Sequence, residues 1–193
     1  MPNRTTDREL QTVTGETIRV PDPERTVHLQ FRRFAGCPVC NLHLREVVNR
    51  HDEILAAGIR EVVLFHTPAD ELRVHVEGLP FAVVPDPDKV LYREFGVASS
   101  PRSLLNPRAW GPILRAVFVG LVRRQPLASR KPHGGRLGLP ADFLIASDGR
   151  VLASKHGEHV YDQWPVDELL ALAREGEGGH CRRRRAKRLR RKW

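Results

Sequence analysis

Apolar positions change their period several times along this chain, and each change marks an element. Residues 1–25 are polar apart from a short strand candidate at 16–20, closed by Pro21-Asp22-Pro23. Residues 26–31 (TVHLQF) are β-branched and aromatic at strand length. Beyond Cys37-Pro38-Val39-Cys40 the period becomes helical. Leu44, Val47, Val48, His51 and Leu55 fall at i, i+3, i+4, i+7 and i+11, with Gly58 as the stop. Pro38 suits a first helical turn, where its missing amide proton would have no partner. The CPVC motif therefore falls at a strand-to-helix junction, with Cys37 at the helix N-terminus.

Residues 61–66 (EVVLFH) are apolar enough for a central strand covered on both faces. A short helix follows at 69–76 and a strand at 81–84. A Pro-Asp-Pro-Asp turn then leads into a helix at 89–95, closed by Gly96. Two βα units in tandem predict a parallel sheet. Residues 97–139 break the rhythm and read as an insertion, since a connection this long is more often functional than inert. One helix is expected inside it, near 109–123, with Leu114, Val117, Phe118 and Leu121 on one face. Such a stripe most often covers a core. A membrane-surface or dimer helix is the alternative, because Arg115, Arg123 and Arg124 flank it. Pro140 opens the last unit. Strands at 143–146 and 151–154 flank Ser147-Asp148-Gly149-Arg150, a strong hairpin signal, and a helix follows at 166–174.

The chain is 193 residues long and 40% apolar, which suits one domain with a real core. Its net charge of +9 matches the nine Lys and Arg of residues 182–193, which contain no acid. The body is neutral, which argues against a nucleic-acid-binding face. The tail could still touch an anionic partner weakly, either nucleic acid or lipid. The expected organisation is a domain over 1–175 and a basic, disordered tail over 176–193. Three cysteines cannot build a disulfide framework, and Cys181 beside the arginines reads as a bystander. The N-terminus lacks the apolar core of a secretory signal. The longest apolar stretch, 113–122, is too short and too charged to span a bilayer. A soluble cytoplasmic protein with reduced thiols is the default expectation.

The dithiol carries the chemistry. A thiolate attacks where a thiol barely does, and the unpaired amides of a helix N-terminus should lower the pKa of Cys37. Cys40, one turn deeper, can then attack the sulfur of Cys37 once that sulfur is oxidised or joined to a substrate. Arg32 and Arg33 stand just upstream and could favour the thiolate. Pro38 and Val39 tune the potential from inside the motif. His66 ends a parallel strand on the same sheet edge, where α/β folds bind ligands; it is either a tuning group or a structural histidine. Cys37, Cys40 and His43 could also form part of a zinc site. Zinc normally takes four ligands, however, and no second pair exists at ligand spacing. No metal or organic cofactor is implied.

With the strand–CPVC–helix junction and the order of its elements, the chain resembles the thioredoxin-like superfamily. Within it, the chain is similar to the peroxiredoxin-like proteins of the alkyl-hydroperoxide-reductase/thiol-specific-antioxidant group that carry a CxxC. The resemblance rests on FRRFAGCPVC, LPFAVVPDPDKVLYREFGV and LPADFLIASDGRV. It implies an α/β thioredoxin-like fold with a central mixed sheet, helices on both faces and an insertion before the last hairpin. Typical peroxiredoxins place Thr three residues and Pro seven residues before the nucleophilic Cys; here those positions hold Phe34 and Gln30. Where they carry an Arg, three residues before the aromatic of the late strand, this chain has Pro140. Thioredoxins hold a cis-proline there against the dithiol, a role Leu139-Pro140 would fill.

The resemblance thus implies a thiol–disulfide oxidoreductase, with Cys37 attacking and Cys40 resolving. Its substrate would be a disulfide or a hydroperoxide, and its reductant an external dithiol donor of the thioredoxin or glutathione type. The enzymatic alternative is a peroxidase. The non-enzymatic alternative is a thioredoxin-fold binding module with a regulatory dithiol and an anion-binding tail.

Overall fold

The protein is described from a computed structural model, which covers residues 4–97, 110–122, 135 and 137–176. The predicted insertion is thus seen only in part, and Cys181 and the basic tail lie outside the described residues.

Five strands form one mixed sheet. β3 (Thr26–Phe31) lies at its centre, parallel to β4 (Ile59–Phe65) on one side and antiparallel to β6 (Ala141–Ile145) on the other. β5 (Ala82–Pro85) closes the parallel edge and β7 (Val151–His156) the antiparallel one, giving the order β5-β4-β3-β6-β7. A separate hairpin of β1 (Arg8–Gln11) and β2 (Thr17–Val20) precedes the sheet. Its first strand was not expected, because Arg8-Glu9-Leu10-Gln11 offers a single apolar residue to read. Gly149, at φ +83°, makes the predicted turn between β6 and β7.

α1 (Pro38–Asn49) and α2 (His51–Ala56) replace the single helix expected up to Gly58. Arg50 leaves the helical region at φ −116°, and its guanidinium holds Glu53 at 2.8 Å and Asp167 at 2.7 Å. α3 (Ala69–Val76), α4 (Val90–Glu94) and a last helix α6 (166–176) follow the sequence pattern closely. The Asp86 carboxylate organises the start of α4 by accepting the Val90 and Leu91 amides at 2.9 and 2.8 Å. α5 (Trp110–Val122) lies within the insertion and packs on α1.

Strand alternation divides the core. Val27, Leu29 and Phe31 point to one face of the sheet with Val62, Leu64 and Phe143. There they meet Tyr92 and Phe95 from the α4 region and Ile18 and Val20 from the hairpin. The opposite face carries α1, α3 and α6, with Val47, Leu144, Trp164 and Leu169 in one cluster and Leu44, Val63, Phe65 and Leu72 in another.

Under α1, β3 presents a polar row. His28, Gln30 and Arg32 alternate with the apolar residues and are all essentially fully buried. Sheet register sets Glu61 opposite His28 and Asp142 opposite Gln30. Such a row would be costly to bury unpaired. Instead two acids meet two bases. His28 Nδ1 lies 2.9 Å from Glu61 Oε2, and its Nε2 lies 3.5 Å from Asp142 Oδ1. Arg32 lies 3.8 Å from that same oxygen.

Candidate active site

Cys37 is the N-cap residue of α1, with extended backbone at φ −61° and ψ 115°, and Pro38 takes the first helical position as predicted. Gly36, at φ +71°, turns the chain into the helix. The loop before it is held from below. The Ala35 amide donates to the Thr67 hydroxyl at 3.0 Å, the His66 amide to the Arg33 carbonyl at 3.4 Å, and Tyr92 donates its hydroxyl to the Arg32 carbonyl. The ends of β3 and β4 thus fix where the first sulfur sits.

Both cysteines are reduced, and both are buried, at 1% and 0% exposure. They share an apolar pocket with Phe34, Val39, Val160 and Ala116, and Ile113 of α5 packs against it. Arg33 reaches the sulfur of Cys37, its Nη1 donating at 3.7 Å while the guanidinium stacks 5.2 Å from the Phe34 ring. The two thiols hydrogen-bond one another. That bond and burial hold Cys37 well above the ordinary thiol range, against the pull of Arg33. The same bond pulls Cys40 down to about 6, with burial opposing and Arg33 and Arg32 assisting. The expectation of a low pKa at Cys37 itself is thus corrected. The helix N-terminus acts on a pair with one easily lost proton, and that titration belongs to the two sulfurs together.

Arg32 and Arg33, expected to favour the thiolate, are buried at 0% and 3% exposure and have separate tasks. Arg33 serves the sulfur. Arg32 turns under α1, donating to Gln30 and to His43 Nδ1, the latter at 3.0 Å. His43 donates through Nε2 to the Trp164 carbonyl at 2.8 Å, which fixes its tautomer and gives it a partner other than a metal. Burial and Arg32 hold its pKa down at about 3. Burial also lowers His28, but Glu61 and Asp142 outweigh it and keep the imidazolium to about 9. Asp142, raised by burial and lowered more strongly by Arg32 and His28, titrates at about 2. The sequence reading missed this cluster, although polar residues at period two inside a central strand were its visible sign.

His66 is buried at the end of β4, its ring edge-on to Tyr92 at 5.7 Å. Gly138 passes so close that a Cβ there would lie 3.3 Å from His66 Nε2 and 3.6 Å from Arg33 Cγ. Pro140 is buried, and its carbonyl accepts the Gly157 amide at 2.9 Å. The predicted cis bond is not there: among the described residues Val20-Pro21 is the cis peptide, and Leu139-Pro140 is trans. With Gly157 closing over it, Pro140 acts as the strand-opening proline of β6, placed just before Ala141. A groove of about 690 Å³ lined by Thr12, Glu16, Asp22, Arg60 and Phe81 contains neither sulfur. A second cavity, of about 390 Å³, lies between α1 and α5 and is lined by Arg45, Arg50, Arg115 and Tyr161 among others.

Comparison with known proteins places this geometry in context. The family described as AhpC/TSA antioxidant enzyme matches residues 46–159, a span that begins after both cysteines. Among solved structures, peroxidoxin BcpB from Mycobacterium tuberculosis is similar at a TM-score of 0.63 and 18% identity, covering 89% of this chain and 94% of that one. Peroxiredoxin Q from Xanthomonas campestris gives 0.60 and 15%, over 87% and 90%. StoA from Bacillus subtilis gives 0.56 and 15%, over 89% and 98%. At these identities the likeness speaks for the thioredoxin-like fold. A search of curated protein sequences finds no match.

Proposed function

Since the chain belongs to the AhpC/TSA antioxidant enzyme family, a group of thiol redox enzymes, we propose that it is a thiol–disulfide oxidoreductase in which Cys37 attacks and Cys40 resolves. The observation that carries the assignment is Arg33 Nη1, 3.7 Å from Cys37 Sγ at the N-terminus of α1. Passing the shared proton to Cys40 leaves Cys37 as the thiolate, facing both the guanidinium and the unpaired amides. Cys37 then attacks one sulfur of a substrate disulfide, and the other sulfur leaves as a thiolate. Cys40, giving up its proton, attacks Cys37 and releases the second thiol. Two electrons reach the substrate and a Cys37–Cys40 disulfide remains. An external dithiol of the thioredoxin or glutathione type returns the pair to the reduced state, which suits a reducing compartment such as the cytoplasm. Pro38 and Val39 tune the pair, Pro140 and His66 support its walls, and residues 1–175 form the redox domain.

A second reading, peroxide reduction, is favoured by family membership. The Cys37 thiolate would take the terminal oxygen of a hydroperoxide, expelling the alcohol or water after protonation. Cys40 would then condense with the sulfenic acid, releasing water and the same disulfide. Stopped-flow reduction of a protein disulfide and of hydrogen peroxide, with mass mapping, separates the two. Cys40→Ser should accumulate a mixed disulfide at Cys37, and Cys37→Ser should be inert. Turnover by Cys37→Ser would overturn the assignment.

A further inference from the structure

The expected role of the α5 stripe fails in the structure, and the failure is informative. Leu114, Phe118 and Leu121 are 68%, 69% and 74% exposed, and Trp110, Val117 and Val122 are exposed as well. At about 100° per residue these six occupy one arc of about 140°. The helix is apolar on its inner side too, where Ile113 and Ala116 lie on the dithiol pocket. A helix with apolar residues on both its inner and outer sides belongs in an interior, and among the described residues nothing covers this outer face.

Charge decides what the cover is. Between Glu94 and Asp142 the sequence contains no acid, but it carries seven Arg and one Lys, with Arg108, Arg123 and Arg124 within two residues of the helix ends. Residues 1–94 and 142–181 are correspondingly acidic by eight charges. Within the fold, Arg115 is exposed on α5 and meets Arg45, Glu46 and Arg50 at the cavity on its flank, where Arg50 is already paired with Glu53 and Asp167. A second copy seated on this face would bring the same basic segment against itself, because a two-fold contact is made by one patch twice. An anionic lipid surface attracts it. Thirteen residues rise about 20 Å, short of a span of about 30 Å, so the helix would lie along the surface and not across it.

We propose that α5 docks this protein on an anionic phospholipid surface. Trp110, Leu114, Phe118 and Leu121 enter the bilayer interface, and the dithiol lies directly behind the helix. Arg115 at the edge of the apolar face contacts the headgroups, and the sulfurs stand one helix thickness from the lipid.

The test is flotation of the full chain with vesicles of phosphatidylcholine alone and of phosphatidylcholine mixed with phosphatidylglycerol. Wild type should float with the mixed vesicles and hardly at all with the zwitterionic ones. The double variant Leu114→Ser/Phe118→Ser, altered only on the exposed face, should bind at least about tenfold more weakly. Indole emission should shift to the blue on binding, and Trp110→Phe should lose most of that shift. Binding equal in wild type and double variant would mean that the basic tail alone holds the protein, and would overturn the proposal. So would failure of wild type to float. A wild-type dimer that the double variant dissolves in the absence of lipid would assign the face to a second copy instead, and would also overturn it.

Discussion

Arg33 shows how one side chain replaces a pattern. The Thr and Arg that typical peroxiredoxins set around their sulfur are absent here, yet a guanidinium reaches Cys37 from four residues upstream. Burial at 3% exposure removes the screening that would make a surface arginine irrelevant. Replacing it with Met should raise the pH midpoint for alkylation of the pair by about one unit, slowing alkylation about twofold at neutral pH and about tenfold at pH well below the midpoint. Iodoacetamide labelling followed across pH reads both, and an unchanged midpoint would remove Arg33 from the site. The sequence named this residue as a weak candidate and could go no further. Whether an arginine beside a cysteine faces solvent or sulfur depends on the loop beneath it, and Thr67, His66 and Tyr92, which fix that loop, come from distant segments.

The polar side of β3 is a property of the strand as a whole and sets an optimum pH. His28 is held near 9 in the fold, against about 6.5 when unfolded. Its contribution is complete below about pH 6.5 and is lost as pH rises through 9. His43 is held near 3, so its contribution is complete above about 6.5 and is lost as pH falls through 3. Asp142 adds to the acid side, losing its contribution between about 3.8 and 2. Thermal melts should therefore peak near pH 6.5, with each histidine worth of the order of 3 kcal/mol on its own limb. His28→Gln should flatten the alkaline limb and His43→Asn the acid one; an unchanged profile would deny the cluster its role.

At the level of elements most of the fold was legible. The parallel βα units, the Asp148-Gly149 hairpin and the CPVC junction follow from period and turn chemistry, because those signals are local. The break at Arg50, the β1 strand and the trans bond at Pro140 were not. Partners far along the chain or elsewhere in the fold, such as Asp167, the β2 strand and Gly157, set the surroundings of each.

Across the whole molecule, the Cys37–Cys40 dithiol is roofed. α5 closes on the cysteines through Ile113 and Ala116, so a bulky reagent reaches them only when that roof lifts. Trimming the contact with Ile113→Ala should weaken it by about 1 kcal/mol, making the open form about fivefold more common. Labelling by a bulky aromatic disulfide should then quicken by that factor, with the rate toward hydrogen peroxide much less affected. Equal acceleration of both reagents, or of neither, would mean that α5 does not gate access. The buried charges of β3 have a different reach. β6 must find β3 after a long detour of chain, and two apolar strands can align in more than one way. Sliding β6 by two residues, about 7 Å, would strand Asp142 away from both His28 and Arg32, at a cost of several kcal/mol. The ion cluster thus acts as an address label for the last hairpin. A chain with His28, Gln30, Arg32, Glu61 and Asp142 all made apolar should keep its stability and lose its single destination, visible as doubled amide resonances along β6 and β7.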